Sequence, residues 1–153
     1  MQAMKTIRFD ILWQGARGAG PAWLQDAGLL ALRLSGALLL FFVHGLPKVL
    51  HYSSELQQIE DPLHLGRSFS LLFAIFAEAF CPIAIAFGVL VRLSVLPAVV
   101  LLLVAMLLVH PDWSLAEGQF GWLLLTIFGS LLIAGGGRFS LDAVMAGTWS
   151  RHG

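Results

Sequence analysis

Four runs of apolar residues, separated by short polar stretches, dominate the pattern of the chain, and they cover about residues 27–50, 69–91, 93–110 and 119–136. Each run is close to the ~20 residues that an α-helix needs to cross the hydrocarbon core of a bilayer. The junction between the second and third runs is so short that these two helices must form an antiparallel hairpin. The pattern therefore predicts an all-α membrane protein, built as an antiparallel four-transmembrane-helix bundle.

Two less regular segments flank the predicted bundle, which extends over residues 27–137. Residues 1–26 mix aromatic and aliphatic side chains with basic ones, which is typical of a segment at the membrane interface. They contain no apolar stretch of the length that a signal peptide requires, so we expect no cleaved signal. Residues 138–153 are predicted to form a cytoplasmic amphipathic tail whose helix begins at Ser140. The bundle is thus expected to carry short interfacial segments at both ends.

The composition agrees with a membrane protein and excludes several other classes. The chain is 58% hydrophobic and 12% charged, with a mean hydropathy of +0.85, whereas soluble domains contain about 25% charged residues. The net charge is zero and no run of like charge occurs, so nucleic acid is not an expected partner, whereas the lipid bilayer is. The single cysteine, Cys81, lies inside the second apolar run, which excludes an internal disulfide and a CxxC pair.

The basic residues near the helix ends predict the orientation of the bundle. If both termini are cytoplasmic, the inner side holds most of these residues, whereas the outer side holds Arg67, with Lys48 close to it. The inner set comprises Lys5, Arg8, Arg17, Arg92, Arg138 and Arg151, with Arg33 near that boundary. Because Lys and Arg accumulate on the cytoplasmic side of membrane proteins, we predict that both termini are cytoplasmic.

The second apolar run contains one ionisable carboxylate, Glu78, near its centre. A carboxylate that faced lipid at this depth would cost ~3 kcal/mol or more, so Glu78 requires a partner inside the bundle. Pro82 has no backbone N–H, and it therefore also releases the carbonyl oxygen four residues earlier, which belongs to Glu78 itself. Two polar groups that need partners are thus expected at one level of the membrane.

The first apolar run supplies candidate partners, because its polar residues share one face. At ~100° per residue, Arg33, His44, Lys48 and His51 fall within roughly 60° of one another. Counting residues from the middle of each helix favours His44 as the partner of Glu78. Lys48 is the second choice, since its long side chain can extend inward from a position further out. Arg33 is expected on the inner side, where it extends to the interface or reaches the level of Arg92.

These residues define a candidate intramembrane polar site. It comprises Glu78, His44, Lys48, Arg33, Arg92 and His110, of which the last closes the outer end of the bundle. No metal site is expected, because the histidines lie on different helices and show no HxxxH spacing. A structural interpretation of the same site remains open, in which the buried charges only fix the register of the helices.

Several segments taken together resemble the DoxX family of small four-helix bacterial membrane proteins. They are an Arg early in the first helix, the sequence HGLPKV at its end, AEAFCPIAIAFGVLVR in the second helix, a His-Pro after the third, and GGGRFSLD. The resemblance covers about residues 27–143. The matching positions are Arg33, Gly45, Lys48, Glu78, Gly88, Arg92, His110, Gly137 and Asp142.

The resemblance implies a multi-pass protein of the bacterial cytoplasmic (inner) membrane. Members of the family are associated with redox or detoxification complexes, which implies a protein partner in a redox or stress-related complex. The catalytic residues, and whether the protein is an enzyme at all, stay open at this level.

Three functions remain as hypotheses. The first is a membrane subunit of an oxidoreductase whose pocket, centred on Glu78, His44 and Lys48, binds a quinone, since a His and a carboxylate can hydrogen-bond quinone oxygens and pass protons. The second is a non-catalytic assembly or anchoring protein whose buried charges hold the bundle together. Self-association through glycine-lined faces is open under any of the three. The third, a small transporter or proton path, is disfavoured because the four helices show no evident repeat.

Overall fold

A computed structural model describes residues 22–149 as a bundle of helices, and this range contains no β-strand. Four of its helices are long and apolar enough to cross a membrane, which confirms the prediction of an all-α protein with four membrane-spanning helices. These are α1 (Trp23–Leu50), α3 (Arg67–Phe87), α4 (Val91–Val109) and α5 (Leu115–Ala134). The short helices α2 (Tyr52–Gln58) and α6 (Leu141–Trp149) complete the set. Most of the predicted interfacial segment at residues 1–26 lies outside the described residues.

The four spanning helices form a closed ring in which each helix packs against two others. Helix α1 packs against α3 and α5, and α4 packs against the same two helices. The buried core between them consists of aliphatic side chains and one aromatic ring, including Ala37, Leu40, Ile85, Val95 and Phe128. Large apolar side chains on the outer faces, among them Phe42, Phe87, Leu93 and Ile133, are exposed. This pattern fits a bundle whose outer surface contacts lipid tails.

Three of the spanning helices contain a single π turn. The turns are Phe41–Gly45 in α1, Phe76–Phe80 in α3 and Ala105–Val109 in α4. In each case the amide after the turn donates to the carbonyl oxygen five residues earlier, as Cys81 does to Phe76. A proline stands two residues after the end of every turn, at positions 47, 82 and 111. Proline cannot donate to the ordinary α-helical bond and crowds the preceding turn, so the wider π turns are where these helices accommodate it.

All four spanning helices begin two to four residues before the starts that the apolar pattern predicts, and the structure shows what precedes two of them. Helix α5 begins at Leu115 rather than near residue 119, because Ser114 and Glu117 form a capping box that satisfies the first amides. Helix α4 begins at Val91, after a turn in which Gly88 and Leu90 have positive φ. Pro97 therefore lies inside α4.

Candidate functional site

One end of the bundle encloses a cavity of about 710 Å³. We call this the cavity end; it carries the connection between α1 and α3, and the opposite end, which holds both ends of the described chain, is the termini end. All four spanning helices contribute to the wall of the cavity, together with residues of the connection such as Ile59 and Leu63. The volume falls within the 300–1,000 Å³ that is usual for sites of small molecules and cofactors.

An ion pair between α1 and α3 forms the polar part of the cavity wall. The Lys48 Nζ atom lies 2.6 Å from the Glu78 Oε2 atom. The Lys48 side chain is 18% exposed and the Glu78 side chain 10% exposed. Both residues line the cavity, and Glu78 lies one residue beyond the middle of the span Arg67–Phe87. The carboxylate is therefore turned into the bundle and paired with a side chain of the first helix.

The partner of Glu78 is Lys48 and not His44, which the residue count had favoured. The reason is the reach of the lysine side chain, which extends inward from near the end of α1 while its apolar stem packs on the bundle. His44 lines the same cavity, and its ring lies against Phe120, with 5.6 Å between the ring centroids. Both side chains thus remain members of the site, with different contacts.

The backbone of α1 and α3 also meets at this level. The carbonyl oxygen of Glu78, which Pro82 leaves without its α-helical donor, lies beside Gly45, and a β-carbon at residue 45 would overlap it. Glycine is the residue that permits such a close approach of two backbones within a membrane. The two π turns of α1 and α3 pack against each other here. The position of the ion pair is therefore fixed by a backbone contact as well as by the side chains.

His110 closes part of the cavity from the other side. Its ring stacks on Trp113, with 3.7 Å between the ring centroids and an angle of 2° between the ring planes. Both rings line the cavity. They belong to the short turn between α4 and α5, which places them at the cavity end together with Glu117.

Arg33 lies far from this cavity, at the termini end. Its side chain is 1% exposed, and its guanidinium donates to the carbonyl oxygens of Gly136 at 2.7 Å and Phe139 at 2.8 Å. These carbonyls belong to the segment after α5, where no further helical turn can satisfy them. Arg33 thus binds the segment after α5 to α1, at the end of the bundle that also holds Arg92.

Arg92 has a separate contact at the termini end. Its guanidinium donates to the carbonyl oxygen of Ile133 at 3.0 Å, and a basic side chain near the C-terminus of a helix is favourable there. Of the six candidate residues, the structure therefore brings Glu78, Lys48, His44 and His110 to the cavity and places Arg33 and Arg92 elsewhere.

Two carboxylates that the sequence interpretation left without a role organise the termini end. Asp142 accepts hydrogen bonds from the amides of Leu90 at 2.7 Å and Val91 at 3.1 Å, which are the first donors of α4. Asp26 accepts from the amide of Arg138 at 2.9 Å. The first contact joins positions 52 residues apart and the second positions 112 apart, so no local pattern marked either of them.

The described residues contain no group of three His, Cys, Asp or Glu side chains that could hold a metal ion. Cys81 is a buried free thiol in the core.

Comparison with known proteins gives one match. The family model described as DoxX matches residues 28–111, which is more than half of the chain. The matched segment includes Lys48, Glu78, His44 and His110, and it ends before α5. Searches among curated proteins and among solved structures each gave no match.

Proposed function

Because the chain belongs to the DoxX family, we propose that it is the membrane subunit of a redox or detoxification complex and that its cavity binds a quinone. The observation that carries this proposal is the ion pair between Lys48 and Glu78 in the wall of a cavity of about 710 Å³. Ionisable side chains within a membrane-spanning bundle are candidates for function by default. Here they face space in which a ligand fits.

The residues present suit the oxygens of a quinone ring. The Lys48 ammonium has three N–H donors, and its ion pair with Glu78 leaves donors for a ligand oxygen. The His44 ring can donate to or accept from a second polar group. A bound quinone would accept electrons and protons. The protein's own contribution is to orient the ring, to hold a proton at the Glu78 carboxylate or the His44 imidazole, and to exclude bulk water.

The orientation of the bundle is part of the proposal. With both termini on the cytoplasmic side of a bacterial inner membrane, the cavity end faces outward, and the basic residues near the helix ends favour this arrangement. A partner protein that exchanges electrons with the quinone would then contact the outer surface. The orientation is tested by fusing, after Gly153, a reporter enzyme that is active only in the cytoplasm. We expect this fusion to be active.

The alternative function is that of a non-catalytic anchor whose ion pair only holds α1 and α3 together. This alternative is favoured by the direct contact of the two charges, which needs no ligand to be satisfied. Replacing a buried ion pair by apolar residues often leaves stability unchanged. A variant without the pair can therefore keep the fold, and its ability to bind quinone separates the two functions.

The deciding experiment measures quinone binding to the purified protein and to a Lys48→Met, Glu78→Met double variant. We expect the wild type to bind a labelled quinone in detergent or nanodiscs and the folded double variant to lose most of this binding. The matched control is Thr126→Val, Ser130→Ala, which removes two hydroxyls from α5 that donate to carbonyl oxygens of their own helix and do not line the cavity. If the folded Lys48→Met, Glu78→Met variant bound quinone as well as the wild type does, the anchoring function would be favoured.

A further inference from the structure

Helices α3 and α4 are close together at one end and separate at the other. They are joined at the termini end by a short turn, and there the segment Cys81–Phe87 packs against α4. Toward the cavity end, the segment Arg67–Ile75 packs mainly on α2 and on the end of α1, whereas the last turn of α4 packs on α5. The cavity occupies the space that this separation creates.

The sides of this separation are apolar along their length. The cavity is lined here by Phe69 and Phe73 of α3 and by Val100 and Val104 of α4. We call the space between these four side chains the lateral gap. Phe69 is 54% exposed and Val100 47% exposed. Because α3 and α4 are neighbours in the ring of four helices, the space between them lies on the perimeter of the bundle. The lateral gap therefore faces lipid tails.

The aqueous side of the cavity is covered by the connection between α2 and α3. Its apolar residues Ile59, Pro62 and Leu65 line the cavity. Asp61 fixes this connection, since its carboxylate accepts from the Leu65 amide at 3.0 Å, the Gly66 amide at 2.7 Å and the Ser70 hydroxyl at 2.9 Å. The connection thus forms a roof with its own internal bonds, and the apolar passage to the cavity is the lateral gap.

We propose that ligands enter the cavity sideways from the bilayer, through the lateral gap, and that the site takes an amphiphile with a long apolar tail. The polar ring lies at Lys48 and Glu78, and the tail remains between α3 and α4, where it contacts side chains on one side and lipid on the other. This inference rests on the proposed function for the identity of the ring. The apolar lining and the perimeter position of the lateral gap are the arguments for the apolar tail and for the route of entry.

The test compares two quinones that share one benzoquinone ring, one with a decyl chain and one without. The test variant is Val104→Trp, which fills the gap, and the matched control is Leu107→Trp, on the same helix at an exposed position that does not line the cavity. We expect Val104→Trp to weaken binding of the decyl quinone roughly tenfold or more, because the tail loses its buried apolar contact. Leu107→Trp should bind it as the wild type does. Equal binding of the decyl quinone by all three proteins would overturn the proposal.

A second measurement examines the route without any quinone. A spin label is placed at Val104 or at Leu107, with the buried Cys81 replaced by Ala, and its relaxation is measured with oxygen, which dissolves in lipid, and with a water-soluble nickel chelate. We expect oxygen and not nickel to reach both labels. Access of nickel to the label at position 104 would show an aqueous entrance and overturn the lateral route. If the wild type binds neither quinone, the proposed function fails, and the relaxation measurement still decides the route.

Discussion

The carbonyl oxygen of Glu78 occupies the space in which a side chain at Gly45 would begin. This contact joins the π turn of α1 to the π turn of α3, three residues before Lys48 pairs with the same glutamate. Neither backbone can move aside easily, because each belongs to a membrane-spanning helix. The contact therefore determines how closely the two helices approach at the level of the site.

The first prediction concerns this approach. Gly45→Ala should destabilise the protein by about 1–3 kcal/mol, the usual cost of forcing extra atoms into a packed core. Thermal or denaturant unfolding in detergent measures the effect. Gly28→Ala is the control, since a β-carbon at Gly28 would meet nothing within 4 Å, and alanine there should be neutral or stabilising by ~1 kcal/mol. Equal stability of the two variants would contradict the close contact.

The second prediction concerns the stability of the ion pair. Lys48→Met alone leaves the Glu78 carboxylate buried without its partner, and we expect a loss of about 3–5 kcal/mol, the value typical of broken buried pairs. Adding Glu78→Met should restore most of that stability, because an apolar pair of similar size replaces the charges. Unfolding of the two single variants and the double variant gives the coupling free energy. A double variant whose loss of stability equals the sum of the two single losses would indicate that the two side chains act independently.

The third prediction concerns Asp142, whose carboxylate caps α4 from the other end of the sequence. Asp142→Ala removes the acceptor for the amides of Leu90 and Val91 and should cost ~1 kcal/mol, as the loss of a helix cap usually does. Hydrogen exchange at those two amides should accelerate more than exchange in α5. Asp142→Asn, which keeps one carbonyl acceptor, should show a smaller change. Unchanged exchange in Asp142→Ala would mean that the cap does not hold the turn.

The fourth prediction concerns the pH dependence of the roof over the cavity. Burial opposes ionisation of Asp61, but the hydrogen bonds from Gly66, Ser70 and Leu65 outweigh it and lower the pKa of this carboxyl. The stabilisation is therefore complete above the unfolded pKa of about 3.9 and is lost as the pH falls through the lower folded pKa.

Hydrogen exchange of the Leu65 and Gly66 amides, corrected for the intrinsic rate, tests this dependence. Both amides should be protected at neutral pH and lose protection in acid, as the pH falls through the lowered folded pKa and the Asp61 carboxylate takes up a proton. In Asp61→Asn the side chain at this position does not titrate, so the corrected exchange of the two amides should not show this acid-induced change. Protection that persists in the wild type under acid conditions would contradict the assignment.

The helices of this protein could be predicted from sequence because the bilayer imposes a minimum length on every crossing. The inward position of Glu78 followed from the same argument, since a carboxylate cannot face lipid at little cost. Its partner could not be ranked correctly, because counting residues along a helix gives the depth of a backbone and not the reach of a side chain. The count placed the backbone of His44 closer in depth to Glu78, but the longer side chain of Lys48 makes the contact.

The contacts of Arg33 had no signal in the sequence, whereas the start of α5 had a signal that the apolar pattern did not include. The guanidinium of Arg33 bonds to carbonyls more than 100 positions later in the chain, and backbone acceptors carry no residue identity that a sequence could reveal. The start of α5 was marked, because Ser114 and Glu117 have the spacing of a capping box. The apolar pattern alone missed it, since the first turn of that helix is exposed.

The π turn Phe41–Gly45 holds one residue more than the α-helical turn it replaces. If the same residues formed ordinary α-helical turns, with none removed, α1 would be an unbroken α-helix. All later side chains of that helix would then turn by about 100° around its axis relative to the earlier ones. Lys48 would leave the face that meets Glu78, while Arg33, which precedes the turn, would keep its position. The π turn thus sets the rotation of one end of α1 relative to the other. This rotation lets Arg33 make a structural contact at one end while Lys48 faces the cavity at the other.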